Sequence, residues 1–193
     1  MISQQNARVA LGAWLAVEGL GALNRFAARR DNFAIAAMRA ATLKRPLVVV
    51  GDPDTGMHTR LMRAYGCGDL CIDLTGCTYC PNAIAADITK PIPEVKDNSA
   101  VVFVACVLEY VDDPWAAWAE ISRMAGTVDN VFMVSVQPWT ITSALYPGGK
   151  WAIYGEPPSS PGFEVAPVRT HVKLAYAALL GGLSYYAFRK PAR

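Results

Sequence analysis

From Val101 to Val107 the chain is an almost unbroken apolar run rich in β-branched residues. That composition predicts a strand buried on both faces rather than one half exposed. The period then changes. Asp112 or Asp113 offers an N-cap carboxylate, Pro114 suits a first helical turn, and Gly126 can end the helix. Between them Trp115, Trp118 or Ala119, Ile121 or Ser122, and Met124 or Ala125 recur at helical spacing, with Glu120 and Arg123 toward the wet side. The stretch Asn98–Gly126 therefore reads as buried strand, short acidic loop and amphipathic helix. In an open α/β sheet, ligands bind at loops leaving the carboxyl ends of such strands. Val107–Asp113 is expected to form one wall of a site.

Similar alternation runs through the rest of the chain. Residues 7–43 are rich in Ala, Leu and Arg, with Asp31 or Asn32 as an interruption between two helical pieces, and residues 1–6 are polar and loose. A strand is expected at the start of LVVVGDPDTG (47–56), then a helix from near Thr55 through His58, Leu61, Met62 and Tyr65. Asp69–Leu74 reads as a short strand, 75–86 as a compact turn region, and Ile88 as part of a further edge element. Asn130–Gln137 is another strand. Trp151–Tyr154 and Phe163–Thr170 are two antiparallel strands around a Gly/Pro/Ser-rich loop at 155–162. The order predicts a three-layer α/β domain over 46–170, with a helical region at 1–45 and a hydrophobic helix and basic tail at 171–193.

Length and charge narrow this picture. With 193 residues there is room for one α/β domain and little more. Hydrophobic residues make up 53% and charged residues 18%. The net charge of +2 is distributed as +5 over residues 1–45, −7 over 46–130 and +4 over 131–193. An acidic centre argues against a nucleic-acid channel, which requires a concentrated positive field. Basic flanks beside apolar segments fit an anionic membrane surface.

Both ends are candidates for that contact. Leu174–Phe188 is apolar and is followed by Arg189 and Lys190, with Lys173 before it and Tyr185 and Tyr186 at interfacial positions. It is slightly short for a bilayer span, which takes about 17 to 25 residues. Val9–Leu23 is also apolar but contains Glu18, and a charge inside a span is costly unless paired. Insertion, interfacial anchoring and packing of these helices on the domain all remain open. The stretch lacks the features of a cleaved secretory signal.

Candidate chemistry gathers at strand ends. Gly51 and Gly56 flank a strand-to-helix turn that can admit a ligand closely, although Asp52 and Asp54 oppose a polyphosphate and no G-x-x-x-x-G-K-[ST] motif occurs. An ordinary turn is the alternative. Asp73 lies 22 residues after Gly51, the spacing at which an acidic side chain accepts from ribose hydroxyls in a dinucleotide-type unit. Asp87 precedes the next loop and could receive an amino group.

Together these residues resemble the class I S-adenosylmethionine-dependent methyltransferases, small-molecule branch. Val101-Val102-Phe103 followed by Val107-Leu108-Glu109-Tyr110-Val111-Asp112-Asp113-Pro114 is similar to the family's fourth strand and its hydrophobic-Leu-Glu-His-Val-x-Asp-Pro loop. Glu120-Ile121-Ser122-Arg123-Met124, Asp87-Ile88-Thr89 and Asp97-Asn98-Ser99 match flanking segments, and Asp73 matches the ribose-binding acidic position. The glycine loop departs from acidic-x-Gly-x-Gly-x-Gly: Val49 stands at the acidic position, Pro53 at the middle glycine and Thr55 at the last. The interval Asp73–Asp87 is also short for a full helix. The resemblance implies a Rossmann-like three-layer methyltransferase fold, reduced, with apolar terminal helices. It implies S-adenosyl-L-methionine held by Gly51, Asp52, Gly56, Asp73, Asp87, Ala105 and Leu108.

Methyl transfer needs alignment and water exclusion more than a nucleophile–base pair, because the sulfonium is already electrophilic. No catalytic residue is assigned; His58 and His171 read as ordinary surface or flanking histidines. Glu109, Tyr110, Trp139 and Tyr146 are the expected acceptor contacts, with Gln137 as a further later-loop candidate. The expected function is methyl transfer to a small or lipid-like acceptor by a membrane-associated protein whose methyltransferase-like domain lies on the cytoplasmic side. The alternative is a noncatalytic membrane or assembly scaffold of the same fold, with a membrane protein as partner. Cys67, Cys71, Cys77 and Cys80 fall within fourteen positions. Buried or unpaired thiols are favoured over a disulfide or redox pair and over a tetrahedral metal site, so no metal ligand is assigned. Cys106 reads as a small buried strand residue.

Overall fold

Alternation along four short strands decides the architecture. Val48, Val50, Ile72, Val102, Val104 and Val131 point into one core, whereas Leu47, Val49, Cys71, Val101, Phe103, Ala105 and Val134 point into another. Side chains two residues apart share a face of a strand, so these are the two faces of one sheet. The computed structural model describes residues 3–54, 63–135, 149–154, 164–167 and 170–188.

The sheet is five-stranded and parallel: β1 (Leu47–Val50), β2 (Leu70–Asp73), β3 (Ala83–Ala85), β4 (Val101–Ala105) and β5 (Val131–Val134), in the order β3-β2-β1-β4-β5. Val49 pairs with Cys71 on one side and Phe103 on the other, which centres β1. Helix α1 (Gln4–Leu43) covers one face through Ala36 and Ala40, and helix α2 (Pro114–Ala125) covers the other through Ala117, Ile121, Met124 and Ala125. The molecule is α/β, with helices on both faces of the sheet. A 3₁₀ turn (Val128–Asn130) leads into β5, and β6 (Trp151–Tyr154) pairs antiparallel with β7 (Glu164–Pro167) before helix α3 (Thr170–Phe188).

Several expectations are corrected. Asp31 and Asn32 do not interrupt α1: the Asn32 amide donates back to the Ala28 carbonyl at 2.9 Å and Asp31 pairs with Arg30 at 2.9 Å, so both polar groups are satisfied on the helix surface. The helix begins at Gln4, within the stretch expected to be loose, because Ser3 caps it by accepting from the Asn6 N–H. It ends where Lys44 turns left-handed, at φ 52°. β4 stops at Ala105 rather than Val107 because Cys106 is itself left-handed, at φ 54°, and Val107 opens a turn closed by Tyr110. The third strand is Ala83–Ala85; Ile88 is a core residue beyond it. Glu120 is buried rather than wet, and Trp115 is exposed.

No helix joins β2 to β3. That connection is closed by disulfides Cys67–Cys80 and Cys71–Cys77, which overturns the reading of buried or unpaired thiols. Cys106 is free and half-buried, just past its strand. Among the described residues no helix is long and apolar enough to cross a membrane.

The first half of α1 stands apart from the sheet and lies along α3. Its protected positions, Gln4, Ala7, Leu11, Trp14, Glu18, Gly21 and Arg25, recur every three or four residues. Gln4 and Arg8 both donate to the Ala187 carbonyl, at 3.2 and 2.9 Å, and Ala7 and Ala187 are fully buried. The first half of α1 and helix α3 thus form an antiparallel helical arm.

Candidate functional site

Strand order reverses between β1 and β4: β2 and β3 lie on one side of that boundary and β5 on the other. In open parallel sheets, ligands occupy the crevice at such a reversal, at the carboxyl ends of the strands. Gly51, at the end of β1, has φ +104°, and a Cβ there would lie 2.9 Å from Val107 Cγ2 and 3.1 Å from the Ala105 carbonyl oxygen. Glycine is needed because the two strand exits touch. The close approach is to protein backbone.

Asp52 and Asp73 come together beside it. The Asp52 backbone N–H donates to Asp73 Oδ2 at 3.1 Å, while Thr75 donates to Asp73 Oδ1 through its N–H and hydroxyl, both at 3.1 Å. Asp52 is buried; its Oδ1 accepts from the Asp54 N–H at 3.0 Å and its Oδ2 from the Thr78 hydroxyl at 2.9 Å. Asp54, also buried, pairs with exposed Arg63 at 3.2 Å. Each ionised carboxylate has about four lone-pair positions, so these loop-closing bonds leave acceptor capacity at Asp73. The disulfides sit directly behind, with Thr78 inside the Cys77–Cys80 turn.

Asp87 lies beyond β3, where Thr89 donates to its Oδ1 through hydroxyl and N–H at 2.7 and 3.0 Å, and Lys90 pairs with Oδ2 at 3.4 Å. The Thr89 hydroxyl and then its N–H hold the carboxyl below its usual range. Ala105 is buried at the β4 exit. Leu108 is fully buried in the core on the α2 face and presents no surface to the crevice. Glu109 is buried and Tyr110 half-buried, and the Glu109 carbonyl accepts from the Lys150 and Trp151 N–H groups, which joins β6 to this loop. Gly56, His58, Gln137, Trp139 and Tyr146 lie outside the described residues, and of His171 only its place in α3 is described.

Two residues of the site went unanticipated. Arg29 reaches from α1 to the β4 exit, donating through Nη2 to Cys106 Sγ at 3.0 Å. Arg25, one turn earlier, is buried, and its Nη1, like Arg29 Nε, has no hydrogen-bond partner among the described residues. Burial pushes the Cys106 thiol up to about 11, with the Glu109 charge adding to the shift and Arg29 opposing it. Cys106 is thus a neutral thiol at physiological pH. Burial likewise raises the Tyr65 hydroxyl, which donates to the Asp52 carbonyl at 3.3 Å. The only signal in the sequence was the i, i+4 spacing of Arg25 and Arg29 on one helix face.

The crevice is therefore two-sided: carboxylates at the β1 and β2 exits, guanidiniums at the β4 exit. One side can accept from hydroxyl or amino groups or face a cation, and the other can donate to an anion. Comparison with protein-family models, curated proteins and solved structures finds no match. The functional reading rests on this geometry.

Proposed function

We propose that the chain has a Rossmann-like, class I methyltransferase-type fold that binds S-adenosylmethionine at the β1–β4 crevice and transfers its methyl group to a small or lipid-like acceptor. The observation that carries this is the Asp52–Asp73 contact beside the strand-order reversal, which sets a carboxylate at the β2 exit, one strand from the reversal point. Asp73 would accept from the ribose hydroxyls, Asp87 would lie toward the adenine, and Asp52 would support the loop around the sulfonium. Arg25 and Arg29 carry buried N–H groups that a negative group on the acceptor would satisfy. S-adenosylmethionine, when bound, would supply an already electrophilic methyl group, so no residue of the chain need act as a nucleophile. The apolar arm of α1 and α3 would bring the protein to a membrane surface where a lipid-like acceptor resides.

Titrating S-adenosylmethionine calorimetrically into the full chain tests the reading. Saturable one-to-one binding is expected, weakened at least about tenfold in Asp73→Asn, because a charge-assisted hydrogen bond contributes about 1.5–3 kcal/mol. Absence of saturable heat with folded protein would refute cofactor binding. Unchanged affinity in the variant would remove Asp73 from the ribose.

A specific observation favours a second reading, a noncatalytic scaffold. Asp52 and Asp73 already close their own loops through Thr78 and Thr75, and the disulfides pin that arrangement. A scaffold would need those bonds and no ligand. The same titration separates the two.

A further inference from the structure

We infer that the four cysteines behind the crevice form a second, metal-holding state: when both disulfides are reduced, Cys67, Cys71, Cys77 and Cys80 bind one tetrahedral, thiophilic divalent ion of the zinc class. The two disulfides are neighbours rather than independent staples. Sγ atoms of Cys71, Cys77 and Cys80, drawn from both bridges, all lie within 4.8 Å of one another, and Cys67 is bonded to Cys80. With metal–sulfur bonds of about 2.3 Å, a tetrahedral tetrathiolate spaces its sulfurs about 3.8 Å apart. The sulfurs of Cys71, Cys77 and Cys80, within 4.8 Å of one another, can reach that spacing once the bridges open. Each bridge holds its own pair, with Cα separations of 5.5 Å for Cys67–Cys80 and 6.2 Å for Cys71–Cys77, so Cys67, which lies outside the trio, is carried to it by its bond to Cys80. Cys71 and Cys77 are buried and Cys80 is half-buried, so the ligands are shielded while one edge remains open for an ion to enter.

The chemistry balances without further partners. Each disulfide takes two electrons and two protons, so two equivalents of a dithiol reductant yield four thiols and two oxidised dithiols. The ion then displaces four protons and leaves a tetrathiolate of net charge −2. Soft thiolate ligands in tetrahedral array select zinc over magnesium or calcium. Because four protons are released, affinity rises steeply with pH below the ordinary thiol range of about 8.5.

The site lies on the loop that orients the crevice. Thr78, between Cys77 and Cys80, holds Asp52 Oδ2, and the Cys71 sulfur lies 3.9 Å from the Gly51 carbonyl oxygen. Either closure, by disulfides or by metal, keeps that loop shut. The reduced, metal-free chain lacks both.

Cobalt titration of the full chain decides the matter, and does so independently of cofactor binding. After dithiol reduction and removal of the reductant under anaerobic conditions, Co²⁺ should bind at one equivalent per chain. It should give thiolate-to-metal charge transfer in the near ultraviolet and intense tetrahedral d–d bands, both bleached by one equivalent of Zn²⁺. The oxidised chain should give neither. Cys80→Ser should lose the four-sulfur spectrum, whereas Cys106→Ser should keep it. If reduction unfolds the chain, metal should restore its far-ultraviolet dichroism together with the tetrahedral bands. Binding below one equivalent, an octahedral spectrum, a full spectrum in Cys80→Ser, or a reduced chain that metal does not refold would each overturn the inference.

Discussion

The Glu120 carboxylate, buried on α2, accepts from the Ile92 N–H at 2.7 Å and makes a two-pronged pair with Arg123, at 2.8 Å from Nε and 2.6 Å from Nη2. Arg123 also reaches the Val95 and Ile92 carbonyls and Asp97. This one pair fastens the 91–98 connection over the helix. Arg123 holds the Glu120 carboxyl below its ordinary value, with burial opposing and the Ile92 N–H helping. A folded-state pKa below the unfolded one contributes stability above the unfolded value, near 4.3, and loses it as pH falls through the folded one. Glu120→Gln should therefore cost about 1–3 kcal/mol in urea unfolding at pH 7. Wild type and variant should converge as the pH falls through the lowered folded-state value; a gap that stays the same from neutral to strongly acidic pH would show that charge plays no part. The helical period placed Glu120 toward solvent because periodicity on one helix cannot see the connection folded over it. For the same reason Arg25 and Arg29 were illegible as site residues: Arg29 meets Cys106 across 77 positions of sequence. The place of Asp73 at the β2 exit was legible because the spacing from strand end to strand end is local.

At the scale of elements, local signals succeeded where the partner of each polar group lies within one turn. Asp113 caps α2, accepting from the Trp115 and Ala116 N–H groups at 2.9 and 3.0 Å, Pro114 opens the helix, and Gly126 closes it at φ 74°. Asp113→Ala should lower thermal stability by about 1 kcal/mol, and Asp113→Asn by less; equal losses in both would assign the effect to charge rather than capping. The β2–β3 connection was less legible. A short interval between Asp73 and Asp87 implied the missing helix, but four cysteines in fourteen positions are compatible with several pairings. Only the fold brings Cys67 to Cys80 and Cys71 to Cys77. The continuous α1 was misread as two pieces because Asp and Asn favour breaks on average, whereas here Asn32 is satisfied by Ala28 of its own helix.

The whole molecule joins a well-buried sheet to an arm that buries only one stripe. Val9, Leu15, Val17, Leu20 and Leu23 of α1 and Leu174, Leu179, Tyr185 and Phe188 of α3 are each more than two-fifths exposed. Both apolar runs are bracketed by basic residues, Arg8 and Arg25 in one and Lys173 and Arg189 in the other. Exposed apolar side chains gathered on two helices point to an interaction surface, and the basic residues that flank both runs in the sequence suit an anionic lipid surface. The arm is expected to lie in such an interface with its leucines among the acyl chains. Burying one leucine contributes about 1.5–3 kcal/mol, and about 1.4 kcal/mol is tenfold in partitioning. Leu15→Glu with Leu20→Glu should therefore reduce binding to vesicles of mixed anionic and zwitterionic lipid more than tenfold in a flotation assay, leaving the α/β domain folded. High salt should weaken wild-type binding without abolishing it, because screening removes the arginine contribution and spares the leucines. Complete release by salt would make the contact electrostatic alone, and unchanged flotation of the double variant would assign the exposed face to a protein partner instead.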